Sequence, residues 1–185
     1  MNKTNVIAIS GVSGAGKTTA VKQLAKMFSS PYLLFDDHID NSTYPQNMRN
    51  WLKQGANVSL IKTPTLVSSL KDLLSKNNSL YIFVEEPFGK ERDSISALID
   101  YVILLDQPME LCLALIIRRH TVQSNYQDKN SISIYLDKYE DHFREIYLCT
   151  RNQVRHNADL IIKEVLSIED LSGFISAWLK NIKNK

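Results

Sequence analysis

The segment from Gly11 to Thr18 constrains this chain more than any other. It reads GVSGAGKT and fits the pattern G-x-x-x-x-G-K-[ST] without a gap. Glycines in such a segment allow the backbone to turn so tightly that successive N–H groups point at phosphate oxygens. The apolar run NVIAIS (5–10) precedes it, and an amphipathic helical pattern ending at Phe28 follows it. The pattern therefore predicts a phosphate-binding loop between a buried strand and a helix.

The positions of this loop have distinct expected roles. The helix that begins near Lys17 contributes the positive end of its dipole. Lys17 is expected to bridge the outer phosphates, and the Thr18 hydroxyl is expected to bind Mg²⁺. The other residues expected to surround the nucleotide are Gly11, Ser13, Gly14, Ala15, Gly16 and Thr19. We therefore predict ATP and Mg²⁺ as cofactors.

Other classes of phosphate-loop protein carry signatures that this chain lacks. There is no Asn-Lys-x-Asp to recognise guanine, and there is no Ser-Gly-Gly signature of transporter ATPases. The formal net charge is only +2, so no basic excess indicates nucleic acid or an anionic membrane as a partner. A small-molecule kinase is the class that remains favoured.

Cysteine content and hydropathy bear on the compartment. Cys112 and Cys149 are the only cysteines and form no CxxC or Cys/His cluster, which argues against a disulfide framework or a zinc site. No signal-peptide pattern precedes the first apolar run, and no window approaches about 18 apolar residues. We expect a soluble, cytoplasmic protein.

Short apolar runs alternate with helical patterns along the chain. The runs are continuous, which is typical of parallel strands covered on both faces; they are 5–10, 32–35, 80–84, 101–105 and 158–162. Helical patterns follow the loop and recur at roughly 45–54, 64–75, 109–120, 131–150 and 168–182. This alternation predicts a three-layer α/β fold with a five-stranded parallel sheet. No linker divides the chain, so we expect one domain over residues 1–185 with a lid at about 118–130.

Two acidic pairs follow predicted strands. Asp36-Asp37 comes directly after the second strand, and Glu85-Glu86 comes after the third. Ligands of open parallel sheets bind beyond the carboxyl ends of the strands, where one member of the first pair could accept a hydroxyl proton and one of the second could hold Mg²⁺. Alternatively, these acidic residues begin loops or cap helices.

Arg118 and Arg119 end the helix 109–120, whose apolar residues occur almost all round, so we expect this helix to be deeply buried. The arginines either offset the helix dipole or stand at the edge of a lid formed by the polar segment 121–130. Four aromatic residues at helical spacing follow and either pack in the core or border a base pocket; they are Tyr135, Tyr139, Phe143 and Tyr147.

Taken in order, these segments resemble the uridine kinase group of phosphate-loop nucleoside kinases. The resemblance covers roughly residues 6–163 and depends on GVSGAGKTT, FDD, VEEPF, DYVILLDQPMELCLALIIRR, YLDKYEDHFREIYL and HNADLII. It implies a nucleoside/nucleotide kinase-like fold with a short lid, and ATP-dependent transfer of phosphate to the 5′-hydroxyl of a nucleoside. It also implies that Asp36 is the catalytic base and that Glu85 is associated with Mg²⁺.

Three departures from this group concern the lid and the acceptor. The group's Arg-Arg-x-x-Arg-Asp is matched only by Arg119, the segment 121–130 contains Lys129 but no arginine, and DNSTYPQN replaces the group's acceptor motif. Arg119 is therefore the expected catalytic cation beside Lys17. The remaining expected substrate contacts are Asp36, Asp37, Glu86 and Arg118.

The function predicted from the sequence is an ATP-dependent kinase of a nucleoside. The departures also leave open a kinase for a sugar acid or a similar hydroxylated metabolite. A third interpretation is a regulatory nucleotide-binding module or slow ATPase. A kinase must exclude water from its site to avoid wasteful hydrolysis, and the arginine-poor lid favours this third interpretation.

Overall fold

Five parallel strands form the sheet in the computed structural model, which describes residues 3–76, 79–123 and 129–183. Their spatial order is β2-β3-β1-β4-β5, which places the strand before the phosphate loop at the centre. The strands are β1 (Asn5–Ser10), β2 (Tyr32–Leu33), β3 (Tyr81–Glu85), β4 (Tyr101–Leu105) and β5 (Leu160–Ile162). In the register of the central strands, Ile9 lies beside Glu85 of β3 and Ile103 of β4. The predicted five-stranded parallel sheet is confirmed.

Helices connect the strands. They are α1 (Lys17–Met27), α2 (Met48–Lys53), α3 (Pro64–Lys76), α4 (Asp93–Ser96), α5 (Met109–Gln123), α6 (Lys129–Lys138), α7 (Arg144–Asn157) and α8 (Ile168–Lys183). Short 3-10 turns occupy Phe35–His38 and Val58–Leu60, and a π-helical segment, Tyr139–Phe143, joins α6 to α7. The pattern at 131–150 thus becomes two α-helices with a π-helical segment between them.

Alternate residues of the strands contribute to two separate cores. Val6 and Ala8 of β1 face one core together with residues of α2, α3 and α7, while Ile7 and Ile9 face the other together with residues of α1 and α8. Because helices cover both faces of the central strands, whose residues are almost all buried, the continuous apolar runs of the sequence are explained. The three-layer α/β architecture is confirmed.

The second strand is shorter than its apolar run predicted. β2 pairs only with β3, through Tyr32 beside Phe83 and Leu33 beside Val84. As an edge strand it has no second neighbour to extend its ladder, and the backbone turns into a 3-10 helix at Phe35. This turn carries Asp36 and Asp37 at the carboxyl edge of the sheet.

The expectation of a deeply buried helix at 109–120 is wrong. In α5, Cys112 and Ile116 are buried, whereas Leu111 is 42% exposed and Leu115 is 49% exposed. The buried residues are four apart on one face of the helix, where the backbone of Cys112 approaches Gly14 of the phosphate loop. The opposite face is apolar in composition but has no described element packed over it. Across the described ranges, no helix combines the length and apolar character needed to cross a membrane.

Candidate functional site

The phosphate loop lies between β1 and α1, and two of its glycines are required by its geometry. Gly14 has φ 82°, and a Cβ there would lie 2.3 Å from the carbonyl oxygen of Cys112 in α5. Gly16 has φ 90° and precedes α1 without any side-chain cap. The N–H groups of the first turn of α1 are therefore left without a side-chain acceptor, which suits them to an anion.

Lys17, Thr18 and Glu85 form one contact group at the start of α1. The Thr18 hydroxyl donates to Glu85 Oε2 at 2.8 Å, and Lys17 Nζ lies 3.6 Å from Glu85 Oε1. Lys17 Nζ also donates to the carbonyl oxygen of Val12 at 3.1 Å. Burial lowers the pKa of Lys17, opposed by the charges of Glu85 and Asp36. A buried lysine in this position gains from an anionic ligand that compensates its charge.

The hydroxyl of Thr18 and the carboxylate of Glu85 fit a Mg²⁺ ion, because hard oxygen ligands suit this ion and its remaining positions are normally filled by water and phosphate oxygens. No group of three or more His, Cys, Asp or Glu residues able to hold a metal occurs within the described ranges. The site therefore has the composition of a site that binds Mg²⁺ together with a phosphorylated ligand, rather than an all-protein metal cage.

A cavity of about 440 Å³ extends from the phosphate loop into an apolar chamber. At one end, which we call the donor end, the lining residues include Gly11, Ser13, Gly14, Gly16 and Thr19 as well as Lys17 and Thr18. At the other, which we call the acceptor end, they include Phe35, Tyr44, Met48, Trp51, Ile61 and Phe88. Of the loop residues expected to surround a nucleotide, Ala15 is buried and does not line the cavity.

Asp36 and Asp37 occupy different positions although they are neighbours in sequence. Asp36 lines the cavity where the two ends meet, and its charge acts on both Lys17 and Tyr44. Both carboxylates are exposed, but Asp37 is not among the residues that line the cavity. The geometry therefore favours Asp36 over Asp37 for contact with a bound acceptor.

Glu86 makes a different contact from the one that its sequence position suggested. Its carboxylate is fully buried and accepts from Arg92 Nε at 3.1 Å and from Arg92 Nη2 at 2.5 Å. Burial raises the pKa of Glu86, and the charge of Arg92 opposes this. Glu86 does not line the cavity, so its position does not support a direct acceptor contact.

Arg92 holds together the wall behind the acceptor end. Besides Glu86, its Nη1 donates to the carbonyl oxygen of Ile61 at 3.0 Å and to Thr63 Oγ1 at 2.8 Å. Its guanidinium carbon lies 5.3 Å from the centre of the Phe35 ring. Sequence reasoning missed Arg92, because nothing in ERD indicates a fully buried arginine.

Arg118 and Arg119 also separate, and they do not end the helix as expected, because α5 continues to Gln123. Arg119 lines the cavity, whereas Arg118 is exposed and does not line it. The expected lid begins within α5 and continues into α6 at Lys129, and residues 124–128 lie outside the described residues.

Arg151 of α7 also lines the cavity, and the sequence analysis missed it. Residues 135, 139, 143 and 147 are spaced by four, and Arg151 continues this spacing. Phe143 and Tyr147 line the cavity, while Tyr135 packs beside them with its hydroxyl 3.2 Å from that of Tyr147. The spacing was thus a usable signal, because a cation that continues an aromatic helical face is placed at the same surface.

Solved structures with a similar fold include kinases. The protein TT1252 from Thermus thermophilus has a TM-score of 0.59 at 17% identity, with 97% of this chain and 98% of that chain covered. Shikimate kinase from Acinetobacter baumannii in complex with shikimate has a TM-score of 0.58 at 20% identity, with 100% and 97% covered. Shikimate kinase from Aquifex aeolicus has a TM-score of 0.51 at 16% identity, with 96% and 98% covered. No protein-family model and no curated protein matches the chain. These likenesses show the fold alone, which this chain shares with shikimate kinases of known structure.

Proposed function

We propose that this protein is an ATP-dependent small-molecule kinase that transfers the γ-phosphoryl group to a hydroxyl of a nucleoside. The observation that carries the proposal is the single cavity that joins a phosphate loop to an aromatic chamber, with Asp36 at the junction. A phosphoryl-transfer site needs both substrates in one water-poor space with their reacting atoms adjacent.

The donor end supports binding of ATP with Mg²⁺. The N–H groups at the start of α1 lack side-chain acceptors, Lys17 is a buried cation, and Thr18 with Glu85 supplies oxygen ligands. When bound, Mg²⁺ would neutralise charge on the phosphate oxygens. Lys17 would bind the outer phosphates. Their negative charge would keep its ammonium group protonated, although burial removes water from it.

The acceptor end supports a flat, largely apolar acceptor. Phe35, Trp51 and Phe88 provide ring faces and edges, and Tyr147 contributes a further ring from α7. The cations among the described residues that line the cavity are Lys17, Arg119 and Arg151. Lys17 belongs to the phosphate loop at the donor end, and Arg151 lies on α7, where the two ends of the cavity meet. Arg92, whose guanidinium stands behind the chamber, already has four acceptor atoms. A nucleobase fits such a chamber better than a carboxylate does.

In the proposed reaction Asp36 accepts the proton of the acceptor hydroxyl as the hydroxyl oxygen attacks the γ-phosphorus, and the bond from the γ-phosphorus to the β,γ-bridging oxygen breaks to release ADP. Lys17 and Arg119 stabilise the charge that develops on the transferring oxygens. The aromatic wall excludes water, which limits hydrolysis of ATP in place of transfer.

A sugar acid or similar metabolite is the second candidate acceptor, because one structure of similar fold contains shikimate. Such an acceptor needs a cation near its carboxylate. In this chain that requirement falls on Arg119 or Arg151, since Arg92 is held by Glu86, Ile61 and Thr63.

A screen of acceptors tests the proposal. Purified protein with MgATP is offered a panel of nucleosides and a panel of hydroxylated acids, ATP consumption is followed, and products are identified by mass. We expect a nucleoside monophosphate as product, and we expect the Lys17→Ala variant to form none. Phosphorylated acid as the favoured product would establish the second candidate. ATP hydrolysis that no acceptor stimulates would favour a slow ATPase or a regulatory module.

A further inference from the structure

We propose that Arg151 contacts the γ-phosphate of bound ATP, and that Asp106 holds it in position to do so. This inference extends the proposed function, and it concerns a residue to which the resemblance and the fold assign no role. Arg151 lines the cavity on α7, directly after the residues with which that helix forms the acceptor wall, Ile146, Tyr147 and Thr150. Its side chain therefore belongs to the boundary between the acceptor end and the donor end.

The contacts of Asp106 fix where the guanidinium lies. Asp106 follows β4 at the carboxyl edge of the sheet, and its side chain is only 3% exposed. Arg155 Nη2 donates to Asp106 Oδ2 at 2.6 Å, while Arg151 Nε lies 3.5 Å from Asp106 Oδ1. One carboxylate thus holds two arginines of α7, which are four residues apart. Arg155 forms a hydrogen bond with the carboxylate, whereas Arg151 forms only the longer ion pair with it.

The hydrogen bonding of Arg151 is incomplete. Its side chain is 17% exposed, and neither its Nε nor Asp106 Oδ1 has a hydrogen-bond partner within the described part of the chain. The buried unpaired donor is Nε, which faces Asp106 Oδ1, and Nη1 and Nη2 of Arg151 form no hydrogen bond within the described residues, so the remaining donors of the guanidinium are available to a ligand. Such a group requires an explanation, and an anionic ligand entering the cavity that Arg151 lines supplies one.

A phosphoryl group has the chemistry to complete this site. A guanidinium presents a planar set of donors that matches two phosphate oxygens at once. The group nearest the acceptor in a transfer reaction is the γ-phosphate, and Arg151 lies on the helix that forms the acceptor wall. Arg119 lines the same cavity from α5 but is exposed. Arg151 is therefore the better positioned of the two arginines, because Asp106 restricts it before the nucleotide binds.

The test compares Arg151→Met with Arg155→Met. Both variants remove an arginine paired with Asp106, but Arg155 is 40% exposed and does not line the cavity. Dissociation constants for MgATP and MgADP are measured by calorimetry, with unfolding midpoints recorded for each variant. We expect Arg151→Met to weaken MgATP binding by about tenfold or more while MgADP binding changes less than about threefold, as for loss of one charge-assisted contact. Arg155→Met should leave both constants near those of the wild type.

Several results would overturn the inference. MgATP affinity of Arg151→Met within about twofold of the wild type would exclude the contact, and equal losses for MgATP and MgADP would exclude the γ-phosphate as its target. Equal losses in Arg155→Met would show that the effect comes through Asp106 or the fold. If Arg151→Met does not fold, Arg151→Lys replaces it, because lysine keeps the charge and loses the paired donors; unchanged discrimination between MgATP and MgADP in that variant would also overturn the inference.

These measurements need no acceptor and no turnover. A protein that binds MgATP through Arg151 but phosphorylates nothing in the acceptor screen would refute the proposed function and leave this inference standing. A protein that phosphorylates a nucleoside while Arg151→Met keeps its discrimination would refute only the inference.

Discussion

The donor end and the acceptor end of the cavity are built in different ways. The donor end comes from one continuous stretch, Gly11 to Thr19, together with Glu85 on the neighbouring strand. The acceptor end comes from separate segments, because Phe35, Trp51, Phe88 and Tyr147 belong to different elements. The donor end relies on backbone geometry and exposed N–H groups, whereas the acceptor end relies on packed rings supported by a buried ion pair.

This difference implies different sensitivities. Substitutions at the donor end should remove ligand binding and leave the fold in place, because loop and helix geometry is set mainly by glycines and by α1. Substitutions behind the acceptor end should reduce stability, because Arg92 and Glu86 connect several elements inside the core. Substitution of Asp36, at the junction, should reduce phosphoryl transfer without changing nucleotide binding or stability.

The largest expected effect is therefore at the junction. Asp36→Asn removes the proposed base and should lower turnover by about 10²- to 10⁴-fold, the usual contribution of general base catalysis. The shift of the unfolding midpoint caused by MgATP should persist, because the donor end is intact. Asp37→Asn is the matched comparison, since Asp37 has the same chemistry one residue away and does not line the cavity. Turnover that falls in Asp37→Asn and not in Asp36→Asn would transfer the base to Asp37.

The second prediction concerns the support of the acceptor end. Arg92→Leu leaves the fully buried carboxylate of Glu86 without its partner, and we expect a loss of about 3–5 kcal/mol in the free energy of unfolding, measured by urea denaturation. The double variant Arg92→Leu with Glu86→Leu should recover part of this loss, because no unpaired charge remains. A single variant as stable as the wild type would show that the ion pair does not support this wall.

The third prediction isolates the donor end. MgATP at about 100 times its dissociation constant should stabilise the wild type by roughly 2.7 kcal/mol, and Lys17→Ala should abolish this stabilisation. Thermal unfolding with and without MgATP measures both quantities. A wild-type midpoint that millimolar MgATP does not shift would contradict nucleotide binding at this loop.

The two ends also differ in how far the sequence predicts them. The phosphate loop is local, since its glycines, Lys17 and Thr18 are adjacent and their spacing carries the geometry. The continuous apolar runs likewise predicted the sheet, because burial on both faces leaves a direct pattern. The acceptor end was not predictable in this way: Trp51 and Phe88 meet only through tertiary packing, and Arg92 looks like a surface residue in the sequence.

The expectation for the helix 109–120 failed for a physical reason. The helix was expected to be buried because it is apolar almost all round, yet burial depends on packing against other elements, and Leu111 and Leu115 remain 42% and 49% exposed. Glu86 was expected as a substrate contact because the acidic pair Glu85-Glu86 follows the third predicted strand. Its carboxylate is instead paired with the buried Arg92, a tertiary contact that the sequence does not indicate, so a substrate contact of Glu86 stays a prediction that its geometry does not favour.

The fourth prediction tests whether Arg119 acts on the transferring group. Arg119→Ala should lower turnover by at least about tenfold, equivalent to 1.4 kcal/mol of transition-state stabilisation, with little loss of stability. A cation that only offsets a helix dipole contributes about 0.3–1 kcal/mol to folding and nothing to turnover. Arg118→Ala is the matched control, because Arg118 is adjacent, exposed and outside the cavity lining. Equal turnover in the two variants would leave Arg119 without a role in transfer and favour the regulatory interpretation.

The smallest expected effect measures how far water is excluded from the acceptor end, through the pH dependence of stability. Burial, followed by the charge of Asp36, raises the pKa of Tyr44 to about 12, whereas tyrosine in an unfolded chain titrates near 10. Below about pH 10 the native and the unfolded states both hold the tyrosine proton, and the free energy of unfolding is not reduced by titration of Tyr44. As pH rises towards 12 the unfolded chain releases a proton that the native state retains, so the free energy of unfolding falls.

The Tyr44→Phe variant has no proton to lose at this position, and its free energy of unfolding should therefore decline less than that of the wild type across this interval. The difference will be small, because Tyr44 is 41% exposed and water screens Asp36. Tyr32→Phe, at a tyrosine 43% exposed and outside the cavity, is the matched control for loss of a surface hydroxyl. If denaturation curves of the two variants change with pH in the same way, the chamber is wetter than an apolar acceptor site requires, and a more polar acceptor than a nucleoside is favoured.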